Sequence, residues 1–129
     1  MIEINNLTNF AVDKKFLTGV AKIVLKGENR ERENISIAFI SSDEIKKLNQ
    51  KYRKKNKPTD VLSFGKSSDF KLGPAEIVIC PEVVKKEEEK IERMLIHGIL
   101  HILGYEHEKS KKEAEMMRVK EEHYLYQFF

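Results

Sequence analysis

The stretch 94–103, MLIHGILHIL, is the feature that most limits how this chain can fold. At helical spacing it is apolar on every face except at His97 and His101. A helix that is apolar all round is a buried helix, so we expect this one in the core. Gly104 is expected to end it, because glycine readily adopts the left-handed conformation that stops a helix. The remaining elements must therefore cover this helix.

The order of the other elements predicts an α+β fold. Alternating apolar residues predict strands over 1–6, 34–41, 60–65 and 75–80. Helical spacing and capping residues predict helices from Thr8 or Asn9 to about Lys26, from Ser41 or Ser42 to about Arg53, from Pro81 to Leu103, and from Ser110 to Tyr126. Two adjacent strands followed by two helices break strict βαβ alternation, so we expect a mixed sheet of about four strands.

Length and composition favour one domain spanning residues 1–129. The single cysteine, Cys80, excludes an internal disulfide and favours a reducing compartment. We find no run of about 20 apolar residues and no signal peptide, which predicts a cytoplasmic protein without a membrane partner. The net charge of +3 permits a nucleic-acid partner without requiring one.

Three of the four histidines lie within eleven residues, at a spacing suited to a metal ion. His97 and His101 are four residues apart, so both rings leave the same helix face. Gly104 then allows the chain to turn and present His107 as a third ligand. Three protein ligands with one open position are typical of a catalytic zinc site. The alternative is a purely structural trio, but a buried pair needs hydrogen-bond partners, and none is visible nearby in the sequence.

The spacing of these histidines equals that of the metzincin proteases, H-E-x-x-H-x-x-G-x-x-H. In those proteases the glutamate after the first histidine is the general base. This chain has Gly98 at that position. The sequence therefore predicts the metal geometry without the peptidase base.

The run from His97 to His107, HGILHILGYEH, closely resembles the H-G-x-L-H-L-x-G-Y-D-H motif of the YbeY family. These proteins are bacterial metal-dependent single-strand endoribonucleases of ribosomal RNA maturation and ribosome quality control. Two further segments are similar to family blocks: 48–64, with its PTDVLSF run, and 75–80, AEIVIC. Glu106 stands where the family usually has aspartate, and Ala75-Glu76 replaces Gly-Asp.

The resemblance implies a small zincin-like α+β domain with the histidine-bearing helix in the core under a mixed sheet. It implies that His97, His101 and His107 hold one Zn²⁺ per chain and that Arg53 is a functional, catalytic arginine. It further implies a zinc-dependent endoribonuclease that processes the 3′ end of small-subunit ribosomal RNA and acts in ribosome quality control. Single-stranded RNA, ribosomal RNA and the ribosome or its proteins are then the expected partners.

A basic segment supports a nucleic-acid interpretation. Residues 46–57 contain seven lysines and arginines and no acidic residue. The candidate RNA-binding residues in it are Lys51, Tyr52, Lys54, Lys55 and Lys57. Lysines can follow a phosphate backbone and a tyrosine can stack on a base, while Arg53 can bind phosphate oxygens through two N–H groups. The alternative is a solvated helix end, where lysines complement the helix dipole.

Glu106, beside the third histidine, is the second catalytic candidate. It can accept an N–H from a ligating histidine or move a proton, and the alternative is an exposed loop acid. The general base stays open, as do two other functions. One is a metallopeptidase-like hydrolase, and the other is a non-catalytic, ribosome-associated RNA-binding factor with a structural metal.

Overall fold

The computed structural model describes residues 1–65, 74–105 and 110–128 of the chain. In these ranges the elements are β1 (Ile2–Asn6), α1 (Lys14–Gly27), β2 (Ile35–Phe39), α2 (Ser42–Arg53), β3 (Val61–Phe64), β4 (Ala75–Ile79), α3 (Pro81–Lys86), α4 (Ile91–Ile102) and α5 (Lys111–Leu125). The predicted strands are all present, each within one or two residues of its expected bounds.

The strands form one sheet in the order β1-β2-β4-β3. β1 pairs with β2 and β2 with β4 in parallel, whereas β3 pairs with β4 in the antiparallel sense. The expected mixed sheet of four strands is therefore confirmed. β3 lies at one edge of this sheet, and Ser63 of β3 is opposite Ile77 of β4.

The histidine-bearing helix α4 lies in the main core, as its sequence predicts. Leu95, Ile96, Ile99 and Leu100 of α4 are each 0% exposed. They belong to a cluster that also contains side chains of α1, β2 and β4 and Met117 and Tyr124 of α5. α4 contacts β3, β4, α1 and α5, so it lies between one face of the sheet and the outer helices.

Helix α2 packs on the opposite face of the sheet. Successive strand residues point to opposite faces, and Leu62 and Val78, which are paired across β3 and β4, belong to a second apolar cluster with Ile45 of α2. Ser63 and Ile77 face α4 instead. The sheet therefore separates α2 from α4, and β3 is the edge strand between them.

Helix α1 begins at Lys14 rather than at the predicted Thr8 or Asn9. The backbone N–H and the hydroxyl of Thr8 both donate to the side-chain oxygen of Asn6, and the Phe10 N–H donates to the Thr8 hydroxyl. These local bonds hold a turn in place of a helix. Asp13 is the observed N-cap, and its carboxylate accepts from the Phe16 N–H.

The single helix predicted from Pro81 to Leu103 is wrong, because two helices, α3 and α4, occupy this range. Glu88 between them has φ 55°, a left-handed conformation that ends a helix. The N–H of Glu89 then donates to the carbonyl of Val84 at 3.0 Å and closes the turn. Nothing in the charged run 85–90 marks Glu88 for this conformation, since it is not glycine or asparagine.

The other predicted helix boundaries are confirmed. Ser41 and Ser110 cap α2 and α5 and accept from the N–H groups of Glu44 and Glu113. Pro81 is the first residue of α3, and Gly104, with φ +107°, follows the end of α4. In the described ranges, no helix is both long and apolar enough to cross a membrane. Residues 66–73, which connect β3 to β4, lie outside the described residues.

Candidate active site

His97 and His101 lie one turn apart on α4, as their spacing predicts. Their ring centroids are 4.8 Å apart and the ring planes are inclined by 77°. Both residues are half-buried, in contrast to the fully buried apolar residues around them. This places two imidazoles close enough together to share one small cation.

Glu121 of α5 is the partner of His97, and sequence reasoning missed it. Its Oε2 lies 2.8 Å from Nδ1 of His97, and its Oε1 lies 3.5 Å from Nε of Arg93. The Glu121 side chain is only 9% exposed. The available signal was a glutamate in the apolar stripe of α5, between Met117 and Tyr124, where a charge needs a specific partner.

Gly98, between the two histidines, lies directly against the sheet. A Cβ there would be 3.0 Å from Cγ2 of Ile77 and 3.1 Å from Oγ of Ser63. The Ser63 hydroxyl donates to the Gly98 carbonyl at 3.3 Å. A side chain at position 98, such as the glutamate that serves a metzincin protease as base, would therefore be crowded by the sheet.

The third predicted ligand, His107, and the predicted catalytic Glu106 lie outside the described residues. Among the residues that the structure does describe, no three His, Cys, Asp or Glu side chains come together as a metal site. Cys80 is buried and belongs to the apolar cluster beneath α2, where burial raises the pKa of its thiol. Glu76 shares the α2 face of the sheet by strand alternation, so it lies away from the two histidines.

The predicted RNA-binding residues cluster at the end of α2 and in the loop after it. Lys51, Tyr52, Lys54, Lys55 and Lys57 are all exposed, as is the predicted catalytic Arg53. The Lys51 ammonium lies 5.2 Å from the centroid of the Tyr52 ring.

A buried asparagine shapes this basic loop. Asn49 is 2% exposed, and its amide group donates to the Lys57 carbonyl at 2.9 Å. The backbone carbonyl of Asn49 accepts from the backbone N–H of Lys55 at 3.3 Å. Lys54 between them has φ 59°, so the chain turns there in a left-handed conformation. Asn49 therefore holds both ends of the loop that displays the lysines.

Two adjacent residues of β3 connect the basic surface to the histidine helix. The Phe64 ring packs edge-on against Tyr52 of α2, with centroids 5.1 Å apart. Ser63, next to it in β3, contacts Gly98 of α4 on the other face of the sheet. Tyr52 of α2 and Gly98 of the histidine helix thus contact neighbouring residues on opposite faces of the same short edge strand.

A buried carboxylate anchors the chain that follows α4. Glu28, at the end of α1, accepts hydrogen bonds from the hydroxyls of Tyr105 (2.6 Å) and Tyr124 and from the Lys120 ammonium (3.1 Å). Burial on its own would raise the pKa of Glu28, but these three donors outweigh it and hold that pKa below its ordinary value. The same contact raises the pKa of Tyr105.

Gly27 leaves space for one of these donors. A Cβ at position 27 would lie 2.7 Å from Cε1 of Tyr124, closer than real Cβ contacts come. The absence of a side chain there lets the Tyr124 ring approach the end of α1. Tyr105 and Lys120 then complete a contact that joins α1, α5 and the chain leaving α4.

Comparisons with known proteins show which family this chain resembles. Residues 3–128 match the family model described as "Endoribonuclease YbeY". A protein of that name from Persephonella marina is 40% identical over 83% of this chain and 78% of its own length. Another, from Bdellovibrio bacteriovorus, is 42% identical over 72% of this chain, and the chain spans 65% of that relative.

A solved structure shares the fold. The solution structure of TM1509 from Thermotoga maritima has a TM-score of 0.64 and 32% identity, over 96% of this chain and 86% of that one. The family match covers nearly the whole chain and includes both histidines of α4 and the basic end of α2. The chain therefore belongs to the Endoribonuclease YbeY family.

Proposed function

We propose that this chain is a zinc-dependent endoribonuclease that cleaves single-stranded RNA. The observation that supports this most is the pair of α4 histidines, 4.8 Å apart, beside an edge strand whose other side borders a basic surface. Membership of the Endoribonuclease YbeY family supports the assignment of this chain as a hydrolase that cleaves RNA. The whole chain is proposed to act as one domain.

The residues present suit zinc. An ionised carboxylate only accepts hydrogen bonds, so Glu121 directs the Nδ1 proton of His97 toward itself and leaves the lone pair on Nε2. Imidazole nitrogens are preferred zinc ligands. His97, His101 and, by the motif, His107 would hold the ion. When bound, zinc supplies a Lewis acid and lowers the pKa of a bound water to about 7.

The basic end of α2 is proposed to bind the RNA. Lys51, Lys54, Lys55 and Lys57 would contact phosphates, and the exposed Tyr52 ring would stack on a base. Arg53 would stabilise the negative charge that develops on the reacting phosphate. RNA in single-stranded form suits a path around the β3 edge, because a flexible strand can contact both sides of it. Glu106 is proposed to assist by accepting a ligand N–H or moving a proton.

Ribosomal RNA is the proposed substrate, with cleavage in the maturation of the 3′ end of small-subunit RNA. Family membership supports this together with a role in ribosome quality control, contact with the ribosome or its proteins, and a cytoplasmic location. The proposed roles of the site residues do not depend on which RNA is cleaved or on where in the cell cleavage takes place.

A peptidase is the main rival, and the packing of Gly98 argues against it. Residue 98 is glycine, so α4 lacks the carboxylate base of that mechanism, and a side chain there would be crowded by Ile77 and Ser63. A non-catalytic RNA-binding factor with a structural metal is the other rival. A structural zinc site is closed by four protein ligands, and an open fourth position distinguishes the enzyme from it.

The test is a parallel assay on three substrates: single-stranded RNA, the same RNA in a duplex, and an unstructured peptide. Metal-free protein and protein reconstituted with zinc are compared for each. We expect cleavage of single-stranded RNA by the zinc form alone. Cleavage of the peptide, or no cleavage of RNA by protein that holds one zinc ion, would contradict the proposal.

A further inference from the structure

We propose that Glu121 is a positioning residue that fixes the orientation and tautomer of His97 and so sets the zinc affinity of the site. The inference deepens the proposed function and rests on its assignment of His97 as a ligand. It comes from a contact between α5 and α4 that joins residues 24 positions apart.

The Glu121 carboxylate is divided between two partners. Oε2 lies 2.8 Å from Nδ1 of His97, and Oε1 lies 3.5 Å from Nε of Arg93. Arg93 lies one helical turn before His97 on α4, so both partners present their nitrogens to α5 from the same side. The positive charge of Arg93 offsets the cost of burying the Glu121 charge.

This arrangement acts on the histidine in two ways. The hydrogen bond at Nδ1 keeps the proton there, which leaves the Nε2 lone pair for a metal ion. It also restricts rotation of the ring, so that less conformational entropy is lost when the ion binds. A carboxylate that accepts from one ring nitrogen also makes the other nitrogen more basic, so that it donates its lone pair more strongly to a metal ion.

The position of Glu121 in α5 excludes an ordinary surface role. Its neighbours in the buried stripe, Met117 and Tyr124, are 1% and 2% exposed and belong to the main core. Glu122, the next residue, is instead on the outer side and pairs with Arg118. The two glutamates therefore offer the same chemistry in different settings, which makes Glu122 the matched control.

The experiment compares Glu121→Ala, Glu121→Gln and Glu122→Gln with the unaltered protein. The zinc dissociation constant is measured by competition with a chromophoric chelator. We expect Glu121→Ala to weaken binding by about 10- to 100-fold, the usual cost of losing such a partner. Glu121→Gln should lose less, because its amide oxygen still accepts from Nδ1, and Glu122→Gln should bind as the unaltered protein does.

A second readout is independent of the metal. Nitrogen-15 NMR of the metal-free protein reports which ring nitrogen of His97 holds the proton. We expect the Nδ1–H tautomer in the unaltered protein and in Glu122→Gln, and a mixture in Glu121→Gln, whose amide can either accept from Nδ1–H or donate to an unprotonated Nδ1. A mixture in the unaltered protein, or equal zinc affinity in Glu121→Gln, Glu121→Ala and Glu122→Gln, would overturn the inference.

Failure of the proposed function has a different signature. If His97→Ala binds zinc as tightly as the unaltered protein, His97 is not a ligand and the proposed site is wrong. The metal-free unaltered protein would then still show the Nδ1–H tautomer of His97. The two failures are therefore distinguishable in one set of samples.

Discussion

The hydroxyl of Tyr105 donates a 2.6 Å hydrogen bond to Oε1 of Glu28 and so ties the chain leaving α4 to the end of α1. Tyr105 is the last described residue before the segment that contains Glu106 and His107. Its backbone N–H also donates to the Leu100 carbonyl at 3.0 Å. Both the main chain and the side chain of Tyr105 are thus fixed.

The Glu28 contact predicts a pH dependence of stability. Because the pKa of Glu28 is lower in the folded state than its ordinary value of 4.5, its contribution is present above that pH. It is lost as the pH falls through the folded-state value. Glu28→Gln should cost roughly 1.5–3 kcal/mol of unfolding free energy at pH 7, the scale for hydrogen bonds to a charged group.

Urea denaturation at pH 7 and at several values below 4.5 checks this expectation. The difference between Glu28→Gln and the unaltered protein should shrink as the pH falls. Tyr126→Phe is the control, since Tyr126 is 76% exposed. A difference that stays constant or grows toward low pH would show that the Glu28 charge does not contribute in this way.

The close approach of Gly98 to the sheet predicts opposite effects for two alanine substitutions. Gly98→Ala should destabilise the protein by about 1–3 kcal/mol, because its Cβ would crowd Ile77 and Ser63. Gly19→Ala, in α1, meets nothing within 4 Å and should stabilise by about 1 kcal/mol through helix propensity. Thermal unfolding of both variants measures the sign. Equal effects would mean that α4 can shift away from the sheet freely.

The buried amide of Asn49 predicts a link between the loop and RNA binding. Asn49→Ala should lose its bond to the Lys57 carbonyl, cost about 1 kcal/mol of stability, and weaken RNA affinity several-fold at constant zinc content. Filter binding at fixed salt gives the affinity. Asn56→Ala, exposed in the same loop, is the comparison. An equal loss of RNA affinity in both variants would disprove anchoring by Asn49.

Arg53 and its lysine neighbours should differ in the step that they affect. Arg53→Ala should lower single-turnover cleavage at saturating RNA by roughly 10²-fold, and Arg53→Lys should recover part of it, because lysine lacks the two-pronged guanidinium. Lys54→Ala and Lys55→Ala should instead weaken RNA binding and reduce its salt dependence. Unchanged cleavage by Arg53→Ala at saturation would make Arg53 an ordinary surface cation.

Local sequence signals were sufficient for much of the fold. The apolar run of α4, the caps at Ser41 and Ser110, and the alternation in the strands each depend on neighbouring residues, and each prediction is confirmed. The turn at Glu88 was missed because a glutamate adopts that conformation only when tertiary packing favours it. The late start of α1 reflects competition from Asn6 and Thr8, whose side chains bind the backbone before a helix can form.

The candidate site was predictable only in part. The spacing of His97 and His101 was enough to place both rings on one helix face. The contact of Glu121 with His97 joins two helices that are separated in sequence, and periodicity says nothing about which helices meet. The same holds for Phe64 and Tyr52, which bring the basic surface to the edge strand.

The zinc content of His101→Ala tests the proposed site most directly. The core around α4 consists of apolar residues on other faces of the helix, so this variant should remain folded. His123→Ala, on the exposed side of α5, removes the same residue type elsewhere and is the control. We predict one zinc ion per chain in the unaltered protein and in His123→Ala, and loss of both zinc and single-stranded RNA cleavage in His101→Ala. Retention of one zinc ion per chain by His101→Ala would contradict the assignment of the α4 histidines as the metal site.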